Sequence, residues 1–253
     1  MNTSILITGG TGTLGRLVTP LLRDSGARVR VLSRHAHATT DGVQYVARDL
    51  MSGEGIEAAI GDADTVLHLA GGQKRDDVAT ANLVRAARNT GVKHLVYISV
   101  IGAGRVPLGW LDMKHTAEQV VTASGLDYTI LRAAQVNDLV LTMWEKMAKL
   151  PVVPMPGHIR MQPVDSRDVA ARLAELALGP PAGLVPELAG PREYGMDELM
   201  RGYLAARGKR RLLMPVRMPG KAGRAYRAGE NITVDGVDRG RRSWEDFLAE
   251  RVA

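Results

Sequence analysis

The first half of the chain alternates two patterns of apolar residues, and this alternation limits the possible folds more than any other feature. Short β-rich runs bounded by Gly, Asp or Ser cover residues 4–8, 27–33, 43–46, 65–70, 94–99 and 128–131. Apolar residues at helical spacing cover residues 12–24, 55–60, 78–90 and 112–123. Strands that alternate with helices predict crossover connections, so we expect an α/β protein with a doubly wound parallel sheet.

This alternation stops after Arg132. Helical spacing then covers residues 137–150, 165–178 and 196–207. We expect Pro151, Pro154 and Pro156 to interrupt the chain after the first of these helices. The sequence therefore predicts a core of residues 1–132 and a smaller C-terminal substrate lobe of residues 133–253. The lobe would be intertwined with the core, so that the two can count as one domain.

The composition is that of a globular protein, with 45% apolar and 24% charged residues in a chain of 253. There is no cysteine, which excludes disulfides, thiolate zinc sites and cysteine nucleophiles. No apolar run reaches the roughly 18 residues that a membrane-spanning helix needs, and the N-terminus shows no signal peptide. We expect a cytoplasmic protein without a membrane partner.

Positive charge is concentrated in residues 201–227, which contain nine Lys or Arg residues and no Asp or Glu. Such a segment can attract nucleic acid or another anionic partner, or it can be an Arg-rich solvated surface. Only Tyr203 and Tyr226 are aromatic there, and no nucleic-acid motif is present. We therefore do not expect nucleic acid as a partner.

A glycine-rich turn, Thr8-Gly-Gly-Thr-Gly-Thr-Leu-Gly15, joins the first predicted strand to the first predicted helix. Its first glycine allows a tight turn, its third lets backbone approach a pyrophosphate, and its last lets the helix pack against the strand. Free N–H groups and the helix dipole favour phosphates at this helix N-terminus. The alternative is a structural turn without a ligand. The strand before it and the helix after it predict a Rossmann-type dinucleotide site formed by Gly9, Thr11, Gly12, Thr13, Leu14 and Gly15.

Residues after the second and third strands bear on the choice of nucleotide. NAD-binding proteins carry an acidic residue at the position of Arg34, whereas an Arg suits a 2′-phosphate and stacks on adenine. We therefore predict NADP(H), with NAD(H) as the alternative, unless Arg34 is only a surface charge. His35 and His37 lie nearby in the sequence and could assist Arg34. Asp49 can bond the adenine amino group beside Leu50, or it can be a turn residue.

The end of the fourth predicted strand is rich in small residues. Small side chains there would let the backbone lie against the nicotinamide ribose, which adds Leu69, Ala70, Gly71 and Gly72 to the predicted cofactor residues. His68, inside the same strand, is expected to be a packed and hydrogen-bonded histidine rather than a catalytic one.

These residues together resemble a known family. The glycine-rich turn, Arg34, Arg48-Asp-Leu50, His68-Leu-Ala70 and Val96-Tyr-Ile-Ser99 resemble the NmrA-like group of atypical short-chain dehydrogenase/reductases, and residues 124–132 and 164–169 resemble its later landmarks. The resemblance covers nearly the whole chain and implies a Rossmann fold with a small substrate lobe. It also implies three kinds of member. Some are reductases of quinones, enones or aromatic compounds, some modify other small molecules, and some bind the nucleotide without turning it over and act as regulators.

The superfamily's catalytic pair is a Tyr and a Lys four residues apart on one helix, where both project toward the same site. The matching residues here are Trp110 and Lys114, so the proton-donating Tyr is missing. The resemblance implies that Lys114 orients the cofactor and takes part in proton transfer, with cofactor binding alone or a surface charge as the alternative. Ser99 is expected to close the nicotinamide site. The catalytic Ser of related enzymes can instead correspond to Val100 or Ile101, in which case this chain lacks it.

The substrate wall is expected to be apolar and rich in Met, which fits irregular ligands. For the Met and Trp residues the alternative is ordinary core packing, and for the single His it is a loop position. The predicted substrate-binding residues are Trp110, Asn137, Trp144, Met147, Met155 and His158.

Our first functional hypothesis is an NADPH-dependent reductase of a small apolar or aromatic acceptor such as a quinone or enone, because these acceptors take hydride without a strong acid. The second is a non-catalytic NADP(H) sensor that acts through a protein partner, which the missing Tyr favours. The third is an epimerase or isomerase, since a fold does not fix a function. The sequence predicts no metal site and selects neither a monomer nor a homodimer.

Overall fold

The computed structural model describes residues 3–72, 75–232 and 236–252. The chain divides into two compact units, each built from several segments. Unit 1 comprises Met1–Ser99, Asp112–Leu131 and Ala170–Val185, and unit 2 comprises Val100–Leu111, Arg132–Val169 and Pro186–Ala253. The predicted division into residues 1–132 and 133–253 stays a prediction.

Strands and helices alternate along the first half of the chain, as the apolar patterns predict. The strands are β1 (Ser4–Thr8), β2 (Arg28–Ser33), β3 (Gln44–Ala47), β4 (Thr65–His68), β5 (His94–Val100), β6 (Tyr128–Ala133), β7 (Val152–Pro156), β8 (Arg160–Met161), β9 (Gly183–Leu184), β10 (Leu188–Ala189), β11 (Tyr194–Gly195), β12 (Leu212–Val216) and β13 (Asp238–Arg239). The helices are α1 (Thr13–Asp24), α2 (Ile56–Ile60), α3 (Asp76–Thr90), α4 (Gly109–Thr122), α5 (Asn137–Met147), α6 (Ser166–Leu178), α7 (Met196–Ala206), α8 (Gly220–Ala228) and α9 (Trp244–Arg251).

The main sheet has the strand order β13-β10-β6-β5-β4-β1-β2-β3, with β9 also paired to β6. β1 pairs in parallel with both β2 and β4, so that Ile5 lies between Val29 and Thr65. The chain adds strands on one side of β1 and then returns to add them on the other side. This reversal creates the switch point at which doubly wound sheets bind their ligands, at the carboxyl ends of the strands. The predicted α/β class with a Rossmann-like parallel sheet is confirmed.

The central strands of unit 1 are continuous apolar runs in the sequence because they are buried on both faces. Ile5, Leu6 and Ile7 of β1 are fully buried, because a parallel sheet in an α/β fold carries helices on both of its faces. Leu83 of α3 and Val121 of α4 belong to the same buried cluster as Leu6.

Unit 2 has a separate core in which aromatic residues are prominent. Trp144 of α5, Tyr203 of α7 and the α9 residues Trp244 and Phe247 are all buried in one cluster with Met155 of β7. The indole N–H of Trp244 donates to the carbonyl of Leu199 at 3.1 Å, which satisfies the polar atom of this buried ring. Unit 2 is thus held together mainly by the contacts of α5, α7 and α9 around β7.

The expectation that prolines interrupt the chain after α5 is wrong in part. Pro154 and Pro156 lie within strand β7, which pairs in parallel with β12 over five residue pairs. Proline can occupy such a strand because each member of a two-stranded sheet has one edge that needs no donor. Strand β12 and helix α8 were not predicted, since the basic segment that contains them shows neither clear alternation nor a long helical period.

Within the described residues, no helix is both long enough and apolar enough to cross a membrane.

Candidate functional site

A cleft of about 610 Å³ in unit 1 lies where the carboxyl ends of β1, β2, β3 and β4 meet. Ten of the residues predicted to bind the cofactor line it: Gly9, Thr11, Gly12, Arg34, Asp49, Leu50, Leu69, Ala70, Gly71 and Gly72. These residues come from four separate connections of the chain, which the parallel sheet brings to one edge. The position is the one that the topology of a doubly wound sheet favours for a nucleotide.

The glycine-rich turn is held very close to the end of β4. Gly9 has a φ of +72°, and a Cβ at this position would lie 2.6 Å from the backbone nitrogen of Ala70. A Cβ on Gly15 would lie 2.3 Å from the carbonyl oxygen of Gly9, so this residue lets helix α1 pack against the turn. Both positions require glycine for steric reasons.

Helix α1 begins at Thr13 and Leu14, with Gly12 as a cap residue that forms no side-chain hydrogen bond. The first N–H groups of the helix are therefore not capped by a side chain, and no acidic residue lies in the first turn. A glycine at the cap also leaves the backbone open to a close approach. These features fit a pyrophosphate group at the end of this helix.

The rim of the cleft is positively charged. Arg34 is exposed at the end of β2, and Arg16, Arg48 and Arg75 line the same cleft. In the part of the chain that the structure describes, none of these four guanidinium groups pairs with a carboxylate. The imidazoles of His35 and His37 add two more donors, and Arg16 Nε donates to the carbonyl of Thr11 at 2.8 Å. The cleft therefore fits a nucleotide with several phosphates, and contact of Arg34 with a 2′-phosphate stays a prediction.

Asp49 and Leu50 follow β3, the edge strand of the main sheet, and line the cleft. The Asp49 carboxylate accepts a hydrogen bond from the N–H of Met51 at 2.9 Å, which is the pattern of a turn-forming Asp. The residue nevertheless lines the cleft, and Leu50 is buried beside it. Contact of Asp49 with an adenine amino group stays a prediction.

Lys114 forms a buried ion pair at the Gly71 wall of the cleft. Its ammonium nitrogen lies 2.8 Å from a carboxylate oxygen of Asp76, and the two side chains are 13% and 2% exposed. The same nitrogen donates to the Tyr97 hydroxyl at 3.2 Å and to the carbonyl of Ile98 at 3.3 Å. A Cβ on Gly71 would lie only 3.1 Å from it. Lys114 is therefore next to the cleft, with a protein acceptor for each of its three hydrogens.

Tyr97 does not take the place of the missing catalytic Tyr. Its side chain is fully buried, and its hydroxyl donates to Asp76 at 3.2 Å. Burial, and then the Asp76 carboxylate, raise the pKa of Tyr97. Tyr97 thus holds Asp76 and Lys114 in place and is not exposed to a substrate.

His68 extends this polar network toward the glycine-rich turn. Its Nδ1 lies 2.6 Å from the Thr8 hydroxyl and its Nε2 lies 3.0 Å from the Thr80 hydroxyl. The Thr80 hydroxyl donates to the carbonyl of Asp76, so it accepts from Nε2–H, which assigns the tautomer of His68. Burial lowers the pKa of His68 to about 4, which keeps the ring neutral. The structure agrees with the expectation of a packed, hydrogen-bonded strand histidine.

Ser99 lies at the end of β5, where its side chain is 1% exposed. Within the described residues, its hydroxyl has no hydrogen-bond partner. A buried hydroxyl without a partner is unusual, since nearly all such groups are satisfied in folded proteins. This fits a residue that a bound molecule completes, and its contact with a cofactor stays a prediction.

The residues predicted to form the substrate wall lie in unit 2 in several environments. Trp144 and Met155 are fully buried in its core and Met147 packs against that core, so the structure favours packing for these three. Trp110 packs in a smaller cluster, and His158 is exposed on the turn after β7. Their contact with a substrate stays a prediction.

Within the described residues, Trp144 has one buried polar atom without a partner, its indole nitrogen, and Asn137, the first residue of α5, has two. Asn137 is fully buried, and the two atoms are its amide nitrogen and its amide oxygen. It is the predicted substrate residue best placed to gain from a polar ligand atom.

Sequence reasoning missed Asp76 and Tyr97, the partners of Lys114. Asp76 is the first residue of α3, where an acidic residue is expected simply to complement the helix dipole. Tyr97 lies inside a buried strand and carries no local signal of its contact with α4. The pairing arises only when α3, β5 and α4 fold together. Within the described residues, no group of three or more acidic or His side chains could hold a metal ion.

Comparison with known families agrees with the geometry of the cleft. A family model described as NAD(P)H-binding matches residues 9–180, which run from the glycine-rich turn past the end of α6. The matched segment covers more than half of the chain and includes Lys114 and its partners.

Two curated relatives match this chain over different lengths. The NAD(P)H azoreductase of Xenophilus azovorans is 30% identical over 216 residues, which are 81% of this chain and 74% of that protein. The photosystem II assembly factor Ycf39 of Synechocystis sp. is 29% identical over 143 residues, 51% of this chain and 44% of that protein. The chain thus spans less than half the length of several relatives that it matches.

A solved structure shows the same fold over almost the whole chain. The NADPH-dependent quinone oxidoreductase of Escherichia coli in complex with NADPH has a TM-score of 0.82 at 19% identity. The alignment covers 97% of this chain and 99% of that one. At this identity the likeness concerns the fold alone.

Proposed function

This chain belongs to the NAD(P)H-binding family of Rossmann-fold proteins, and on that premise we propose that it is an NADPH-dependent oxidoreductase that reduces a small apolar or aromatic acceptor of the quinone or enone type. The observation that carries the proposal is the Lys114–Asp76 ion pair at the wall of the unit 1 cleft. A nucleotide-binding regulator could also use Lys114 to hold the ribose, so turnover with an acceptor is the observation that distinguishes the two functions.

In this proposal the two ends of the cleft have different tasks. Gly9, Gly12 and the first turn of α1 hold the pyrophosphate, and Arg34 holds the 2′-phosphate, which favours NADPH over NADH. Lys114 lies at the other end, against Gly71, where the nicotinamide ribose is expected. When bound, the cofactor supplies the hydride, while the protein supplies position and excludes water.

In this proposal Lys114 acts by its position. Its three hydrogens already have acceptors in Asp76, Tyr97 and Ile98, so transfer of a proton to an acceptor would break this arrangement. Held by Asp76, the ammonium group is fixed beside Gly71, where it orients the nicotinamide ribose so that the hydride faces the acceptor. The reduced acceptor takes its proton from bulk water after it leaves the site, so no Tyr is needed when the acceptor is electron-poor.

The relatives are consistent with this proposal and do not fix the acceptor. The azoreductase and the quinone oxidoreductase both use a reduced nicotinamide cofactor, as their names state, and both act on small molecules. We propose small-molecule acceptors for this chain on the same grounds. A cytoplasmic location, expected from the lack of cysteine, remains part of the proposal.

The second candidate is a non-catalytic NADP(H) sensor. It is favoured by Trp110, which stands where the superfamily has its proton-donating Tyr. The chain is also 29% identical over 143 residues to a protein named as an assembly factor. A sensor would bind NADPH without oxidising it in the presence of any acceptor, and it would release a protein partner when the nucleotide is oxidised.

The test is oxidation of NADPH by the purified protein with a series of quinones and enones, followed by the loss of NADPH absorbance. We expect turnover with at least one acceptor class, and we expect Lys114→Ala to abolish it while NADPH binding persists. Lys93→Ala, which removes an exposed lysine of unit 1, is the matched control and should keep full activity. Full activity of Lys114→Ala would contradict the role of this residue, and NADPH binding without turnover on any acceptor would favour the sensor.

A further inference from the structure

The small sheet formed by β7 and β12 in unit 2 has one face in the core and one face in solvent. Val153 and Met155 are buried, and Leu213 packs against the same core. The alternate residues point the other way, because successive side chains of a strand lie on opposite faces. Leu212 is 67% exposed and Met214 is 48% exposed, which is unusual for residues of a paired strand.

The outward residues form one continuous surface, which we call the basic apolar face. Leu212 lies directly opposite Val152 in the parallel register, and Met214 lies opposite Pro154. A shallow depression at one end of the sheet is lined by Lys149, Pro151, Arg210, Arg211 and Leu212. The face consists of the exposed apolar residues Val152, Leu212 and Met214 and the flanking cations Lys149, Lys209, Arg210 and Arg211.

The cations of this face are not neutralised by the protein. Arg201 and Arg207, earlier in the same basic segment, pair with Asp197 and Glu145. Among the residues that the structure describes, no carboxylate lies within ion-pair distance of the four cations that flank the face. Arg211 is further fixed by a hydrogen bond from its Nε to the carbonyl of Ala148 at 3.0 Å. The basic segment that the sequence singled out is thus divided into a neutralised part and an unpaired part.

We propose that the basic apolar face docks the protein on an anionic membrane surface. Single exposed apolar residues are common on proteins, but three on one face with a border of cations are the combination that binds an anionic lipid interface. The apolar side chains enter the boundary between headgroups and acyl chains, and the cations contact lipid phosphates. The sequence led us to expect no membrane partner because it contains no spanning segment, and surface docking needs none.

Two other occupants fit the face less well. A peptide that added to the sheet as a strand would need backbone donors, and Pro154, Pro156 and Pro215 remove donors from both strands. A second copy of this chain would bring two sets of four unpaired cations together, which their repulsion disfavours. A lipid surface avoids both problems, since it is flat, negatively charged and apolar beneath.

The experiment is co-sedimentation of the full chain with vesicles of phosphatidylcholine alone or of phosphatidylcholine mixed with phosphatidylglycerol. We expect binding to the anionic vesicles that weakens as salt is added, and little binding to the neutral ones. The double variant Lys209→Glu/Arg210→Glu should weaken anionic binding by at least about tenfold. The variant Leu212→Ser/Met214→Ser should weaken it by about tenfold, because the apolar contribution is lost.

Matched controls separate this face from general attraction to the basic protein. Arg88→Glu/Arg241→Glu removes the same charge from exposed residues elsewhere, and Leu178→Ser/Leu184→Ser removes two other exposed leucines. Both controls should keep most of the binding, and all variants should keep the circular dichroism spectrum and the thermal unfolding midpoint of the parent, which shows that they fold.

Three results would overturn the proposal. The first is equal binding to neutral and anionic vesicles, or no binding to either. The second is loss of binding in the Arg88→Glu/Arg241→Glu control as large as in Lys209→Glu/Arg210→Glu. The third is tighter binding to duplex DNA than to anionic vesicles that is lost in Lys209→Glu/Arg210→Glu, which would assign the face to nucleic acid instead. None of these outcomes depends on whether the protein is a reductase.

Discussion

The ammonium group of Lys114 lies 2.8 Å from the carboxylate of Asp76, which is almost completely buried. The two residues come from different helices, α4 and α3, and Tyr97 of β5 bonds to both of them. An ion pair in this position is costly to break, because the remaining charge would be buried without a partner. The same pair therefore stabilises unit 1 and fixes the position of Lys114 at the wall of its cleft.

Removal of the lysine should destabilise the protein strongly. In Lys114→Met the Asp76 carboxylate stays buried without its cation, and we expect a loss of about 3–5 kcal/mol in the free energy of unfolding. The double variant Lys114→Met/Asp76→Asn has no buried charge left, so it should recover a large part of this loss. Denaturant unfolding of the two variants and the parent measures both effects.

The exposed ion pair of Lys93 and Asp64 is the control for the variants of Lys114 and Asp76. Its side chains are 78% and 38% exposed, so Lys93→Met should cost less than about 1 kcal/mol. Equal losses in Lys93→Met and Lys114→Met would show that the Lys114 pair is not shielded from solvent.

His68 should make the stability depend on pH. Its pKa falls from 6.5 to about 4 on folding because the ring is desolvated. The unfolded chain therefore binds a proton between these pH values that the folded chain does not. This contribution to the unfolding free energy is fully present above pH 6.5 and is lost as the pH falls toward 4. The loss amounts to about 3 kcal/mol.

The variant His68→Gln isolates this effect, since Gln cannot titrate. We expect the fall in unfolding free energy between pH 6.5 and pH 4 to be smaller in His68→Gln than in the parent by about 3 kcal/mol. His158→Gln, which changes an exposed histidine, should follow the parent curve. A parent and a His68→Gln curve that run parallel over this range would contradict the assignment of a neutral, buried ring.

The sequence predicted the unit 1 sheet and the glycine-rich turn well because both depend on local patterns. β1 has the bounds that its apolar run predicts, and helix α3 begins at Asp76, two residues before the predicted start. Gly9 and Gly15 carry a steric requirement that their spacing already signals. Tyr97 and Asp76 have no such signal, because their role exists only through contacts between elements far apart in the sequence.

The C-terminal half was harder to predict for related reasons. Pro154 and Pro156 predict an interruption of secondary structure unless the partner strand is known. That partner, β12, lies almost 60 residues away from β7 in the sequence. Trp144 and Met155 have the same residue types whether they pack in a core or line a ligand site. Burial distinguishes these cases, and burial is a property of the folded chain.

Arg34 should determine the preference between the two nucleotides. Arg34→Asp replaces a cation with a carboxylate that repels a 2′-phosphate and accepts from a ribose 2′-hydroxyl. We expect the ratio of NADPH to NADH affinity to fall by at least about tenfold, which corresponds to 1.4 kcal/mol. Arg88→Asp, at an exposed position on α3, should leave the ratio unchanged, and an unchanged ratio in Arg34→Asp would assign the phosphate to other residues.

Gly9 should tolerate no side chain. In Gly9→Ala the new Cβ would meet the backbone of Ala70 at 2.6 Å, in addition to the strain of a positive φ. Gly125 also has a positive φ of +74°, but nothing lies within 4 Å of its Cβ position. We expect Gly9→Ala to lose roughly 1–3 kcal/mol more unfolding free energy than Gly125→Ala. Equal losses would show that the turn can move away from β4.

The central claim is that the unit 1 cleft binds NADPH and presents it for hydride transfer. Calorimetric titration of the purified protein with NADPH, NADP+, NADH and NAD+ tests it most directly. We expect both phosphorylated nucleotides to bind, with NADPH at least as tight as NADP+ and both tighter than NADH. An affinity for NADP+ that exceeds that for NADPH by about tenfold, or 1.4 kcal/mol, would contradict a reductase and favour a sensor. No heat of binding with any of the four would contradict the claim altogether.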